Sequence, residues 1–222
     1  QSLARLARLD PQLLRAIEHR SEQVQVDRAL LRSRDVLVRS RAGLISHVRG
    51  TVKALGSRLS SCSSESFAHK VAEAIPEALQ PALGPVVEQI GILTQTIRSF
   101  DRQLEQLGAE RYPEHELLRQ VDGVGVITSL AYMLKVEDPR RFRRSRTVGA
   151  YLGLVPKRKQ SGSRDPQLRI SKQGDAYVRR LLVNCAHYIL GPFGKDCELR
   201  RYGERIALRG GKNAKKRATV AV

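Results

Sequence analysis

A serine beside a glycine, set in a run of cations, is the feature of this sequence with the clearest chemical potential. Ser161 and Gly162 follow Lys157, Arg158 and Lys159 and precede Arg164, and Arg169, Lys172, Arg179 and Arg180 come shortly after. A serine hydroxyl can attack a phosphodiester when the backbone leaves it accessible and positive charge stabilises the developing phosphorane. No neighbour in the sequence is an obvious general base. A second reading of the same residues therefore stays open: a hairpin turn whose serine contacts phosphate without reacting. Val121, Asp122, Gly123, Val124 and Gly125 form a turn between two helical patterns. Its glycines allow successive amides to point outward at the start of the next helix, where a phosphate is stabilised. That is the core of helix-hairpin-helix DNA-backbone binders, and it is also an ordinary tight interhelical turn. Arg140, Arg141, Arg143, Arg144 and Arg146 place five guanidinium groups in seven residues, which suits charge-assisted contacts to phosphate oxygens. A solvated face is the usual meaning of a mixed-sign run; a run of one sign favours nucleic acid.

Other side chains capable of chemistry read as structural. His187 shares a helical face with Leu181, Leu182 and Ile189 and is expected to pack, as are Cys185 and Cys197. Tyr177 lacks the His and Arg surroundings of a tyrosine-recombinase nucleophile. The basic segment 212–217 is either a helix against phosphate or a solvated end.

The elements that must position these residues are helical. Asp10 and Pro11 read as an N-cap and first helical residue, with Leu13, Leu14 and Ile17 on one face. Residues 21–56 predict a long helix, in which Leu30, Leu37 and Leu44 recur at seven and Val48, Val52 and Leu55 continue the stripe. The Ser-rich stretch 57–66 breaks it, and a shorter helix over 67–78 ends near Pro81 and Pro85. Val86, Ile90, Leu93, Ile97, Phe100, Leu104 and Leu107 then alternate by four and three, the spacing of a coiled-coil seam. That seam is either the core of an antiparallel hairpin with residues 21–56 or a dimerisation surface. Beyond 108–113 the seams give way to helices at 114–120, 126–135, 145–151, 174–190 and 195–208, with extended chain or a hairpin at 154–170. The expected fold is mostly α: a long helical hairpin or coiled-coil segment over 1–110, then a small helical domain over 111–222 carrying a short β-hairpin or extended loop.

Composition narrows the partners. The 222 residues carry 40 Lys and Arg against 22 Asp and Glu, a formal charge of +18, with a pI near 10.6. Residues 135–222 hold 23 of the cations and 7 of the acids, so the surface for a polyanion lies in the second half. Hydrophobic residues at 41% suffice for an ordinary core. Three cysteines without a CxxC pair and five histidines without an HExxH spacing argue against a disulfide scaffold or structural zinc and suit a reducing cytoplasm. No apolar run is long enough to cross a bilayer, and Arg5, Arg8 and Asp10 interrupt any signal-peptide core, so no membrane association is expected. Residue 1 is Gln and the single methionine is Met133, from which the expectation is that the chain does not begin at its own translation start.

Several of these motifs recur together in one known family. Leu-Leu-Arg-Gln-Val-Asp-Gly-Val-Gly at 117–125, Asp-Pro-Arg-Arg-Phe at 138–142, Ala-Tyr-Leu-Gly-Leu-Val-Pro at 150–156, Gln-Ser-Gly at 160–162, Ile-Ser-Lys-Gln-Gly at 170–174 and Arg-Arg-Leu at 179–181 resemble, in order and spacing, the carboxyl-terminal domain of bacterial insertion-sequence transposases of the IS-one-ten type. Residues 3–11, 34–41 and 45–50 resemble the helical segment joining that domain to an upstream RuvC-like nuclease domain. The resemblance implies an RNA-guided DNA recombinase that binds DNA and a guide RNA and acts as a homo-oligomer in the bacterial cytoplasm. It implies Ser161 as the nucleophile of strand exchange. Lys157, Arg158, Arg169, Lys172, Arg179 and Arg180 would neutralise phosphates, and Gly123 and Gly125 would hold the backbone. It further implies Mg2+ held by four carboxylates of the nuclease domain, none of them in this sequence, so that the 222 residues alone would bind nucleic acid without cutting it. The competing expectation is a non-catalytic module, a coiled-coil dimer with a basic head that positions DNA or RNA.

Overall fold

The structure, a computed structural model, describes residues 2–9, 19–166 and 168–222. The expected cap at Asp10 and Pro11 and the face of Leu13, Leu14 and Ile17 lie outside the described residues. Helix α1 spans Ser2–Leu9 and α2 spans Glu22–Ala54. Ser21 caps α2, its Oγ accepting from Val24 N at 3.3 Å, and Glu22 adds a negative charge to the first turn. Gly56, at φ +84°, turns the chain out of the helix.

The shorter helix is briefer than its periodicity suggests. α3 covers Phe67–Val71, and two 3-10 turns, Ala72–Ala74 and Glu77–Leu79, lead into α4, Gln80–Arg111. Pro76 holds the preceding Ile75 extended at ψ 128°, which stops the helix there. Pro81 lies in the first turn of α4, where a missing N–H costs little, so it opens the next helix instead of closing the last.

α2 and α4 lie antiparallel, which answers the question left by the seam: it is the core of a hairpin within one chain. Val48 and Val52 of α2 pack with Leu83, Val87 and Ile90 of α4, and Phe67, Val71 and Ile75 close that end. At the other end Val24 and Leu31 meet Leu104 and Leu107. The buried stripe of α2 differs from the expected one: Leu30, Leu37 and Leu44 are half-buried and Leu55 is exposed, while Asp27, Asp35 and Arg41 are buried. Each of these charges has a partner. Asp27 accepts from Arg111 Nη1 at 2.9 Å and from Tyr112 Oη at 2.7 Å, and Arg41 Nη1 donates to Thr94 Oγ1 at 3.2 Å.

The second half adds α5 (His115–Arg119), α6 (Val126–Val136), α7 (Arg146–Tyr151), α8 (Ala176–Leu190), α9 (Glu198–Leu208) and α10 (Ala214–Ala221). Leu130, Ala131 and Leu134 of α6, Leu152, and Tyr177 and Val178 of α8 share one apolar cluster with the ends of α2 and α4. Among the described residues no helix is long and apolar enough to cross a membrane.

Candidate nucleic-acid interface and the Ser161 hairpin

Between α7 and α8 the chain makes a hairpin with Ser161 at its tip. Lys157 N donates to Arg169 O at 2.8 Å, Ser171 N to Val155 O at 2.8 Å and Lys172 N to Gly153 O at 3.1 Å, while Pro156 sits opposite Ile170. At the tip Ser161 and Arg164 exchange both backbone hydrogen bonds at 3.0 Å. Gly162 carries the positive φ, +55°, that the first central position of a II′ turn demands. Ser161 and Gly162 are exposed, as are Lys157, Arg158, Lys159, Arg164 and Arg169 along the stems. Arg158 is the stem cation with an acidic neighbour, Asp165 at 3.4 Å.

The base of the hairpin is a crossing of two backbones. A Cβ on Gly153 would lie 2.0 Å from Gln173 O, and one on Gly174 would lie 2.1 Å from Tyr151 O; both glycines have positive φ, +71° and +86°. Arg179 fastens the crossing from α8, its Nη1 donating to Leu152 O at 2.9 Å and Gln173 O at 3.2 Å. Asp175 caps α8 through Tyr177 N at 2.9 Å and Val178 N at 3.3 Å, and pairs with Arg32 at 2.6 Å and Arg28 at 3.2 Å on α2. Burial pushes the Asp175 carboxyl up, but the Val178 amide, the Arg32 guanidinium and the Tyr177 amide hold it below the ordinary carboxylate range. Arg180 pairs with Asp35 of α2, which also pairs with Arg39 at 3.1 Å. Of the cations named from the sequence, Arg179 and Arg180 are therefore engaged within the fold, whereas Lys157, Arg158, Arg169 and Lys172 line the hairpin.

Arg140, Arg141, Arg143 and Arg144 are all exposed. Arg140 Nε is 3.0 Å from Asp138 Oδ1, and Arg141 lies 5.1 Å from the centre of the Tyr151 ring. Burial raises the Tyr151 phenol, yet Lys135, Arg20 and Arg141 outweigh it and bring the phenol below its ordinary value. Gly123, at φ +82°, and Gly125, extended at φ −95° and ψ 178°, sit where expected, with Gly125 capping α6. The space beside Gly123 is taken by Tyr188, whose Cδ1 would be 2.8 Å from an added Cβ.

The secondary candidates separate. Tyr177 is buried, and that burial pushes its phenol above the ordinary value. Cys185 is buried beside Thr128 and its thiol is likewise pushed up. His187 corrects the sequence reading: it is exposed on α8, because Ala186 and Ile189 take the buried face. The sequence reading missed the close approach at Gly153 and Gly174, and it missed the pairing of Asp35 and Asp175 with arginines. The spacing of small residues hints at the first; for the second, the Asp35–Arg39 spacing of four on one helix is the local signal, and the pairs with Arg180, Arg28 and Arg32 have none.

A mostly helical basic chain, with a cation-lined hairpin presenting a serine, is the class that fold and site define. Residues 115–196 match the IS116/IS110/IS902 family of transposases. The chain is 31% identical over 177 residues to the transposase of insertion sequence element IS1328 from Yersinia enterocolitica, covering 75% of this chain and 51% of that protein. It is 27% identical over 183 residues to the transposase of element IS1111A from Coxiella burnetii, covering 80% of this chain and 50% of that one. Against a probable family 20 transposase from Pseudomonas aeruginosa the identity is 29%, over 80% of this chain and 54% of that protein. The chain spans about half the length of these relatives. Over residues 115–196 it is similar to transposases of the IS116/IS110/IS902 family.

Proposed function

We propose that these residues form the serine-bearing, nucleic-acid-binding part of an insertion-sequence transposase, and that Ser161 is its nucleophile. The observation that carries this reading is the tip of the hairpin: an exposed hydroxyl on a turn whose stems present Lys157, Arg158, Lys159, Arg164 and Arg169. Attack by Ser161 Oγ on a phosphodiester forms a seryl phosphodiester and breaks one P–O bond to the sugar. The serine proton is handed on as the released sugar oxygen is protonated. The stem cations stabilise the charge that builds on the phosphoryl oxygens. Gly123 and Gly125 would hold a strand by its backbone in helix-hairpin-helix fashion, and Arg140, Arg141, Arg143 and Arg144 would add phosphate contacts. The partners are DNA and a guide RNA, in a homo-oligomer whose contacts lie outside the α2–α4 seam, since that seam is filled within the chain.

Magnesium does not fit the residues present. Among the described residues no group of three or more His, Cys, Asp or Glu side chains is placed to hold a metal. The buried carboxylates Asp27, Asp35 and Asp175 are each paired with arginine. Carboxylates that hold a metal would come from elsewhere in the assembled enzyme.

In the complete transposase, Ser161→Ala is expected to abolish strand cleavage and the covalent protein–DNA product while leaving nucleic-acid affinity unchanged. Cleavage by the variant at the wild-type rate would remove Ser161 from the chemistry. The isolated 222 residues are expected to bind nucleic acid and to leave it uncut with magnesium added.

A further inference from the structure

One phenol is crowded by cations from separate parts of the fold. Tyr151, half-buried at the end of α7, accepts from Arg20 Nη2 at 3.1 Å. Lys135, near the end of α6, holds its Nζ 4.5 Å from the centre of the same ring. Arg141, in the 3-10 turn Pro139–Arg141, brings its guanidinium to 5.1 Å from that centre. Phe142 meets the ring edge-on at 5.3 Å, which helps to fix its plane. Arg20 also donates to Lys135 O at 3.0 Å, so the chain entering α2, the end of α6 and the end of α7 are joined at this one point.

These charges are not balanced by the fold. Among the described residues Arg20, Lys135 and Arg141 form no ion pair: Asp138 is taken by Arg140, Asp175 by Arg28 and Arg32, and Glu137 accepts from the Ser21 amide. The acceptors that Arg20 does meet there are neutral oxygens, and its Nε is buried with no hydrogen-bond partner. Burial, and after it the like charge of Arg20, hold the neighbouring Arg28 guanidinium below its ordinary value. Partly desolvated cations crowded in this way are stabilised when an anion joins them.

The donors narrow the choice of anion. A flat carboxylate is met best by the paired N–H groups of one guanidinium. Here guanidinium, ammonium and phenol hydroxyl come from separate stretches of chain, and a phosphate, with oxygens in several directions, can take all of them. Arg141 also joins the cluster to the exposed Arg140, Arg143, Arg144 and Arg146. Residues 135–151 hold six Lys and Arg against two Asp and Glu, so the approach to Tyr151 suits a chain of phosphates more than a lone one.

We infer that Arg20, Lys135, Arg141 and the Tyr151 hydroxyl form a seat for one backbone phosphate of a bound nucleic-acid strand. The Tyr151 carbonyl meets Gly174 where the backbones of the Ser161 hairpin cross, so the seat is fixed relative to that hairpin. This rests on the proposed nucleic-acid-binding role and deepens it, because it adds Arg20, Lys135 and Tyr151 to the contact and gives the strand one anchored phosphate.

Ultraviolet difference absorbance between the 222-residue chain and its Tyr151→Phe variant reports the ionisation of this one phenol. With a mixed-sequence DNA duplex bound, the phenol should ionise at higher pH, since a phosphate beside it opposes the phenolate. The change should exceed that of the other tyrosines, read in the variant. Inorganic phosphate should act in the same direction at much higher concentration. Lys135→Met should weaken duplex binding about tenfold and lower the slope of log affinity against log salt by about one, and Lys135→Arg should restore both. Arg141→Gln, at an exposed position, should show the same loss of slope without risk to the fold. A phenol raised by inorganic phosphate but not by the duplex makes the seat one for a free anion and overturns the strand assignment. A bound duplex that moves Tyr151 no more than the other tyrosines, or wild-type slopes in both Lys135→Met and Arg141→Gln, removes the seat and leaves the nucleic-acid role standing. Failure of the wild-type chain to bind the duplex at all removes that role, and the seat with it.

Discussion

At the scale of single residues, the constraint on the hairpin lies in its glycines as much as in its serine. Gly153 and Gly174 are placed where the two backbones cross, each in the left-handed region and each with a carbonyl oxygen about 2 Å from where a Cβ would go. Alanine at either position must both strain the backbone and push the strands apart, a loss of about 3 kcal/mol or more. For a chain of this size that corresponds to a fall of roughly 6–12 °C in Tm, read by thermal melting. Gly162 is a control: it has positive φ but open space around it, so Gly162→Ala should cost about 1 kcal/mol and leave the stem intact. Ser161 and its cations were legible in the sequence, because a Ser-Gly pair amid single-sign charge reads locally. The crossing was not, since it brings Gly153 to Gln173 and Gly174 to Tyr151 through backbone atoms that carry no sequence label.

Among the elements, α2 does more than complete a hairpin with α4. Its Arg28 and Arg32 hold Asp175, the cap of α8, and its Asp35 holds Arg180. The folded Asp175 has a lower pKa than it has in the unfolded chain, so its contribution to stability is complete above the ordinary carboxylate range near about pH 4. That contribution is lost as pH falls through this range to below the folded value. Urea unfolding followed from neutral pH to about pH 3 should show this loss, and Asp175→Asn should flatten that part of the profile while lowering stability at neutral pH. A separate test of α2 uses Gly43, which lies in mid-helix with nothing within 4 Å of an added Cβ. Gly43→Ala should stabilise the protein by about 1 kcal/mol. Most helix positions could be read from periodicity and caps, because those are local. The choice between hairpin and dimer could not, since an apolar seam looks the same whichever helix fills it. The heptad of Leu30, Leu37 and Leu44 misled because the stripe that is buried includes Asp27, Asp35 and Arg41, charges whose partners include Arg111, Arg180 and Thr94 on other elements.

For the whole molecule, the change of pattern and charge near residue 110 does not coincide with a gap in the core. Val24 and Leu31 from α2 and Leu104 and Leu107 from α4 pack in the same cluster as Leu130, Leu134, Leu152, Tyr177 and Val178. The Asp27 pair with Arg111 and Tyr112 spans the same junction. A polypeptide of residues 111–222 would carry the cationic surface but expose one side of α6 and α8, and Asp175 and Arg180 would lose their α2 partners. It should therefore unfold without a cooperative transition and bind hydrophobic dyes, whereas residues 19–222 should melt in a single transition. Its affinity for nucleic acid should persist in part, because exposed arginines contact phosphate without a fixed fold, and should fall steeply with salt. Cooperative folding of 111–222 alone, with a Tm close to that of the longer chain, would show that the second half stands as an independent unit and that the ends of α2 and α4 merely rest on it.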